Sequence, residues 1–159
     1  EARLDLACVA SAVAKGSGTF VERLYEQLLQ SSSTAKWFQR PGTVERLKEQ
    51  QRRYLLELFS SAIHWDYTLR RLQIGVVHHQ VRLTPRWYLA TCSHFVCAHV
   101  PLLLASSPDP QAGVKRVVTL LKTVLFDASL VLDAYGMSLE RSLVEGRRGG
   151  ADAPAGDGE

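Results

Sequence analysis

Arg71-Leu72-Gln73-Ile74-Gly75-Val76-Val77-His78-His79-Gln80-Val81-Arg82-Leu83-Thr84-Pro85-Arg86-Trp87-Tyr88 reads as two helices meeting at a corner. The first carries a histidine pair and runs to about Leu83. Thr84-Pro85 then starts the second, since threonine is a good N-cap and proline suits the first helical position. Almost no loop is left between them. The corner therefore brings a histidine on one helix close to Trp87 and Tyr88 on the next.

Outward from this corner, nearly every segment has helical periodicity. Residues 4–15 place Leu4, Cys8, Val9, Ala12 and Val13 on one face, and Gly16-Ser17-Gly18 is expected to break that helix. Thr19 and Glu22 form a capping-box pair at the start of the next, which aligns Phe20, Leu24 and Leu28, with Tyr25 at the seam of the apolar face. Residues 31–34 are a polar interruption, and 35–38 a short helix ending before Arg40-Pro41-Gly42. Thr43 caps a strongly amphipathic helix to about Ile63, and Asp66 starts the one that reaches Leu83. The helix from Pro85 extends to about Ala105, with Pro101 expected to kink it. Asp109 caps, and Pro110 opens, a last long helix over about 111–144. That gives an all-α fold of seven or eight helices. Residues 1–145 form one domain, and 146–159, rich in Gly, Ala, Asp and Pro, read as a disordered tail or linker toward an absent output domain.

The chain has 159 residues, enough for one sizeable core, and its 46% hydrophobic and 22% charged residues are an ordinary globular balance. A net charge of +3, with basic residues scattered singly, gives no footprint for nucleic acid. No apolar run reaches the length of a bilayer span, so no membrane role is expected. Cys8, Cys92 and Cys97 are odd in number and lack a C-x-x-C pair; Cys92 and Cys97 sit in an apolar helix and are expected as buried thiols, in a reducing, cytoplasmic setting. The chain opens at Glu1 and is expected to be a fragment or a processed form.

The corner resembles that of the globin-coupled sensors, which are related to protoglobins. Their pattern is an Ile-Gly pair, two residues, a haem-ligating histidine, an apolar-Gly-Leu step, a proline and an aromatic pair. It is matched here by Ile74-Gly75-Val76-Val77-His78, Val81-Arg82-Leu83, Pro85 and Trp87-Tyr88. Arg82 stands where the family commonly has glycine, and it is expected to change the backbone of the corner but not the ligand. Weaker matches are Leu24-Tyr25-Glu26-Gln27-Leu28, the helix from Leu47 to Phe59, and Phe126-Asp127-Ala128 through Asp133-Ala134-Tyr135. The resemblance implies a globin-like fold around non-covalent haem b, consistent with the lack of a C-x-x-C-H attachment motif.

Adjacent helical positions point about 100° apart, so only one of His78 and His79 can face a given slot well. Periodicity leaves that choice open, and the family spacing selects His78 as iron ligand. By the same resemblance, Tyr25 offers its hydroxyl to bound O2, which polarises more than CO. Leu47, Gln50 and Gln51 line the distal side. Phe38, Tyr54, Val81, Trp87 and Tyr88 pack against the haem, and Tyr88 hydrogen-bonds the second nitrogen of His78. Each of these aromatics also has an ordinary reading as core. Lys36, Arg40, Arg53 and Arg71 are candidates for the propionates. His64, His94 and His99 are read as surface or core residues, and no zinc site is expected, since no Cys/His quartet has suitable spacing.

The expected function is a haem-based sensor of O2, also binding CO and NO, that forms the input module of a signalling protein such as a histidine kinase or diguanylate cyclase. The chain itself carries no motif of those enzymes. The wide apolar face of the last helix points to a homodimer through the last two helices. The alternatives are a haem enzyme detoxifying nitric oxide or peroxide, and a haem-free helical interaction domain.

Overall fold

The computed structural model describes residues 2–60 and 64–151, with side chains for 3–59 and 64–143. Among them there is no strand. Helix α1 (Ala2–Gln30) is followed by a single turn, α2 (Ser32–Ala35), and a 3-10 turn (Lys36–Phe38). Then come α3 (Thr43–Ser60), α4 (Trp65–Gln80), α5 (Pro85–Ala105) and α6 (Pro110–Ala151). The fold is all-α among the described residues, as expected. Helix α1 packs on α3, α5 and α6, and α6 packs most extensively on α4 and α5.

Two expected helices are one. Gly16-Ser17-Gly18 does not end α1, because its small residues serve a helix crossing instead of a turn. Ser17 is buried. A Cβ on Gly16 would stand 2.9 Å from Nε2 of His99 on α5. The helix thus trades some propensity for close approach. Residues 31–34, expected as an interruption, make most of α2. Thr34 is buried and donates its hydroxyl to the Leu28 and Ser31 carbonyls, closing the end of α1. Asp109 caps α6 as expected, its Oδ1 accepting from the Ala112 N–H at 2.8 Å. The α6 backbone continues to Ala151, into the stretch read as tail. The expected end of α3 at Ile63 and residues 152–159 lie outside the described residues.

The core has two parts. The larger joins α1, α3, α5 and α6 around Val13, Phe20, Val21, Leu55, Phe95 and Leu120. The smaller lies where α5 meets α6, at Tyr88, Ala128, Val131 and Tyr135. Contrary to the reading of hydropathy, α1 and α5 are long and apolar enough, by length and composition alone, to cross a bilayer. Both supply these cores. The three cysteines are free, but Cys97 is exposed, not buried.

Candidate functional site

The corner folds as a helix end with a left-handed residue. After Gln80, the Arg82 N–H donates to the His79 carbonyl at 3.0 Å and the Leu83 N–H to the His78 carbonyl at 2.9 Å. That pair of bonds is the Schellman arrangement, which needs a positive φ at its C′ position. Arg82 occupies that position with φ 58°. A non-glycine residue thus takes a left-handed conformation, at a cost of about 1 kcal/mol. Thr84 is the N-cap of α5 with Pro85 following, but its hydroxyl makes no capping bond. Its carbonyl accepts from the Trp87 N–H at 3.0 Å.

Gly75 has a separate reason. A Cβ there would lie 2.3 Å from the Val131 carbonyl oxygen and 2.7 Å from the Ala134 Cβ. This is where α4 and α6 cross, three residues before His78.

The His78 ring lies 5.7 Å from the Tyr88 ring and 6.3 Å from the Tyr135 ring. Its Nδ1 is buried without a hydrogen-bond partner. Burial pushes its pKa down to about 4, so the imidazole is neutral at pH 7. A desolvated neutral imidazole keeps a lone pair, the donor that haem iron takes. The neighbouring His79 turns instead to Ser142 on α6, with its Nε2 at 3.5 Å from the hydroxyl. Half-exposed Val77 and Val81 lie on the same stretch of chain.

The expected bond from Tyr88 to His78 is not made. Tyr88 turns its hydroxyl toward the Tyr54 hydroxyl at 3.3 Å and the Asp127 carboxylate at 3.5 Å. Asp127, 1% exposed, is a junction that sequence reasoning missed. It accepts from the Tyr54 hydroxyl, from the Tyr67 hydroxyl at 2.6 Å and from Arg71 Nε at 2.7 Å. The Arg71 guanidinium carbon stands 4.3 Å and 4.4 Å from the Tyr54 and Tyr67 ring centroids. Burial works most strongly against the Arg71 charge, but Asp127 together with the Tyr67 and Tyr54 hydroxyls outweighs it and holds the pKa above the usual value. Burial first, then the Asp127 charge, holds the Tyr54 hydroxyl well above its ordinary pKa. Arg71, a propionate candidate by sequence, is 2% exposed and paired with Asp127, so it is not available for that. Arg40 is exposed and Arg53 pairs with Glu49 at 3.0 Å.

The distal candidates collect on the larger core. Tyr25 is buried and meets Phe38 edge-on at 5.6 Å. Burial pushes its pKa up to about 12, against a weaker opposite pull from Arg46, so it carries its proton at neutral pH. Among the described residues its hydroxyl has no hydrogen bond. Phe38, Leu47 and Tyr54 pack against the same cluster. Gln51 is half-buried; Gln50 is exposed and accepts from Arg46 at 3.3 Å. Trp87 meets Trp37, which sequence reasoning does not single out, at 6.4 Å and 89°. Tyr25 and His78 thus sit on α1 and α4, two helices that do not pack closely on each other. A separate cleft of about 530 Å³ opens between α1 and α5, lined by Lys15, Phe20, His94 and His99, and does not include His78.

A family model described as Protoglobin matches residues 5–141. The chain belongs to the protoglobin family. The heme-based aerotactic transducer HemAT of Halobacterium salinarum is 31% identical over 132 residues. That match covers 74% of this chain, which spans only 26% of the transducer's length. Among solved structures, the globin domain of the Geobacter sulfurreducens globin-coupled sensor superposes with a TM-score of 0.74 at 18% identity, covering 84% of this chain and 90% of that one. The ferrous globin domain of E. coli DosC gives 0.66 at 11% identity, over 80% and 87%. At these identities the likeness to solved structures shows the globin fold.

Proposed function

We propose that this protoglobin-family chain is the haem-binding, gas-sensing input module of a longer signalling protein, with O2 as its principal ligand and CO and NO as others. The observation that carries the reading is the His78 imidazole: neutral, desolvated and unpartnered at Nδ1, at the end of α4 where the family motif has its ligand. Haem b, held without thioether links, supplies an iron centre for diatomic gases. His78 would hold the iron through an imidazole nitrogen. Tyr25 keeps its proton and offers it to a polarised ligand. Leu47 and Phe38 exclude water on that side, with Gln51 better placed than exposed Gln50 for a second polar contact. Tyr54, Val81, Trp87 and Tyr88 are the packing residues for the macrocycle.

The chain acts by binding, not by catalysis of its own, and residues 1–145 are the sensing unit. The continuation of α6 and the residues that follow lead to an output such as a histidine kinase or diguanylate cyclase, in the cytoplasm. Exposed Leu102 and Leu104 on α5 and Val114, Val118 and Leu125 on α6 support a homodimer through these two helices.

Reconstitution with haem and a visible spectrum test this. The wild type and His79→Ala take up haem with a sharp Soret band; His78→Ala does not retain it through gel filtration. A wild type that stays pale in excess haem, or a His78→Ala variant that keeps its band, overturns the reading.

A further inference from the structure

Helix α6 grips the histidine helix along one stripe. Asp127, Val131 and the Ala134-Tyr135 pair succeed one another at helical spacing on α6. Opposite them stand Arg71, Gly75 and the corner residue Leu83. At one end, Arg71 Nε donates to Asp127 at 2.7 Å, with both side chains 2% exposed. In the middle, Gly75 lies so close to the α6 backbone that even a methyl group would not fit. At the other end, the Tyr135 hydroxyl donates to the Leu83 carbonyl at 2.7 Å. His78 lies between Gly75 and Leu83. Across the corner, the direct hydrogen bond from α5 to Asp127 is the long one from the Tyr88 hydroxyl, at 3.5 Å.

We propose that Asp127 and Tyr135 are positioning residues for His78: two polar clamps that make α4 and α6 one body. The inference rests on the ligand role of His78 proposed above. Sliding α4 along α6 would pull a buried carboxylate from its guanidinium and ride a helix up over a glycine contact with no slack. Each is costly, because an unpaired buried charge or polar group loses its solvation without replacement. Movement of the imidazole is therefore delivered directly to α6, the helix that leaves the domain. Helix α5 follows the corner and does not drive it. This makes the coupling a rigid-body one, not a shear between packed helices.

Two variants test the clamps. Tyr135→Phe removes one hydroxyl and keeps the ring. Asp127→Asn removes the charge at the other clamp. The full chain is measured haem-free by amide hydrogen exchange and haem-loaded by the ferrous iron–imidazole stretching band in resonance Raman. In Tyr135→Phe, the Arg82 and Leu83 amides exchange about tenfold faster in the haem-free chain, because the partly buried Leu83 carbonyl loses its donor. With haem, the stretching band shifts and broadens in both variants. Ser142→Ala, which removes the exposed contact to His79, leaves both readouts as in the wild type.

Bands superimposable on wild type in variants that retain haem overturn the proposal, as does unchanged exchange in Tyr135→Phe. If Asp127→Asn does not fold, Tyr135→Phe decides alone. Failure of the ligand assignment looks different: His78→Ala then keeps haem, while the exchange result still reads the clamp by itself.

Discussion

Gly75→Ala sets two effects of opposite sign against each other, and the structure decides which wins. In a helix interior, alanine is favoured over glycine by about 0.5–1 kcal/mol. Position 75 is interior to α4, so propensity alone predicts a stabilised protein. The new Cβ, however, would stand 2.3 Å from the Val131 oxygen and 2.7 Å from the Ala134 Cβ. Ordinary carbon–oxygen contacts begin at about 3.3 Å, so the helices must part by about 1 Å. The obstacle is backbone on α6, which has no rotamer to escape into. Overpacking of this kind costs about 1–3 kcal/mol, which outweighs the gain in propensity. For a chain of this size each kcal/mol moves the midpoint by about 2–4 °C, so a fall of several degrees is expected. Gly136 is the internal control: it lies in α6, and a Cβ added there would meet nothing within 4 Å. There the propensity gain stands unopposed, and Gly136→Ala raises the midpoint. Thermal and urea unfolding of the haem-free variants, followed by far-ultraviolet circular dichroism, read both signs. If Gly75→Ala rises as Gly136→Ala does, the close crossing of α4 and α6 is wrong.

Three further outcomes concern the ligand pocket, the corner and acid stability. Tyr25→Phe removes a donor worth about 1.5–3 kcal/mol to a charged acceptor, so O2 dissociation speeds by roughly ten- to a hundredfold and CO dissociation much less; stopped-flow rates equal to wild type would remove Tyr25 from the distal role. Arg82→Val forces a β-branched side chain into the positive-φ site and lowers stability by more than 1 kcal/mol, to order of magnitude about twice the strain already carried; urea midpoints check it, and a rise contradicts the Schellman geometry. The haem-free chain should also weaken in acid. His78 has its pKa lowered from 6.5 to about 4 by burial, so below pH 6.5 the unfolded chain takes a proton that the folded ring refuses. Stability is complete above that pH and falls as the pH drops toward 4, by on the order of 3 kcal/mol from this group. His78→Phe should flatten the dependence, and an identical slope in the variant would assign it elsewhere.

The helical ladder is legible in the sequence because periodicity, caps and proline placement all act locally. Asp109 before Pro110 and Thr84 before Pro85 mark true helix starts. What fails is punctuation read without tertiary context. Gly16-Ser17-Gly18 looks like a break, since glycine weakens a helix, yet its smallness lets α1 meet His99. Arg82 looks like a departure, yet it is bent into the glycine conformation by the bonds around it. In the first case longer-range packing overrides a local preference; in the second the hydrogen bonds of the turn itself do. The histidine corner is recognisable because its residues are close in sequence, and their geometry follows from one turn.

The Asp127 junction is the opposite case. Its donors come from α3, α4 and α5, so no spacing along the chain brings them together, and the sequence names Asp127 only as part of the last-helix match. Sequence reasoning marks Tyr54 and Tyr88 as haem-packing residues and Arg71 as a propionate candidate; that their hydroxyls and the guanidinium meet at one carboxylate it does not foresee. Nor is the pair explained by stability. A buried ion pair usually gains little over apolar residues of the same volume, and here Arg71 Nη2 is left without a partner. What an apolar contact lacks is direction. A 2.7 Å bond from Arg71 to Asp127 fixes how far α4 may slide on α6, and with it the place of His78. A chain that needed only a stable helical bundle would have little reason to keep such a charge in its interior; one that must hold an imidazole at a set position relative to its exit helix would.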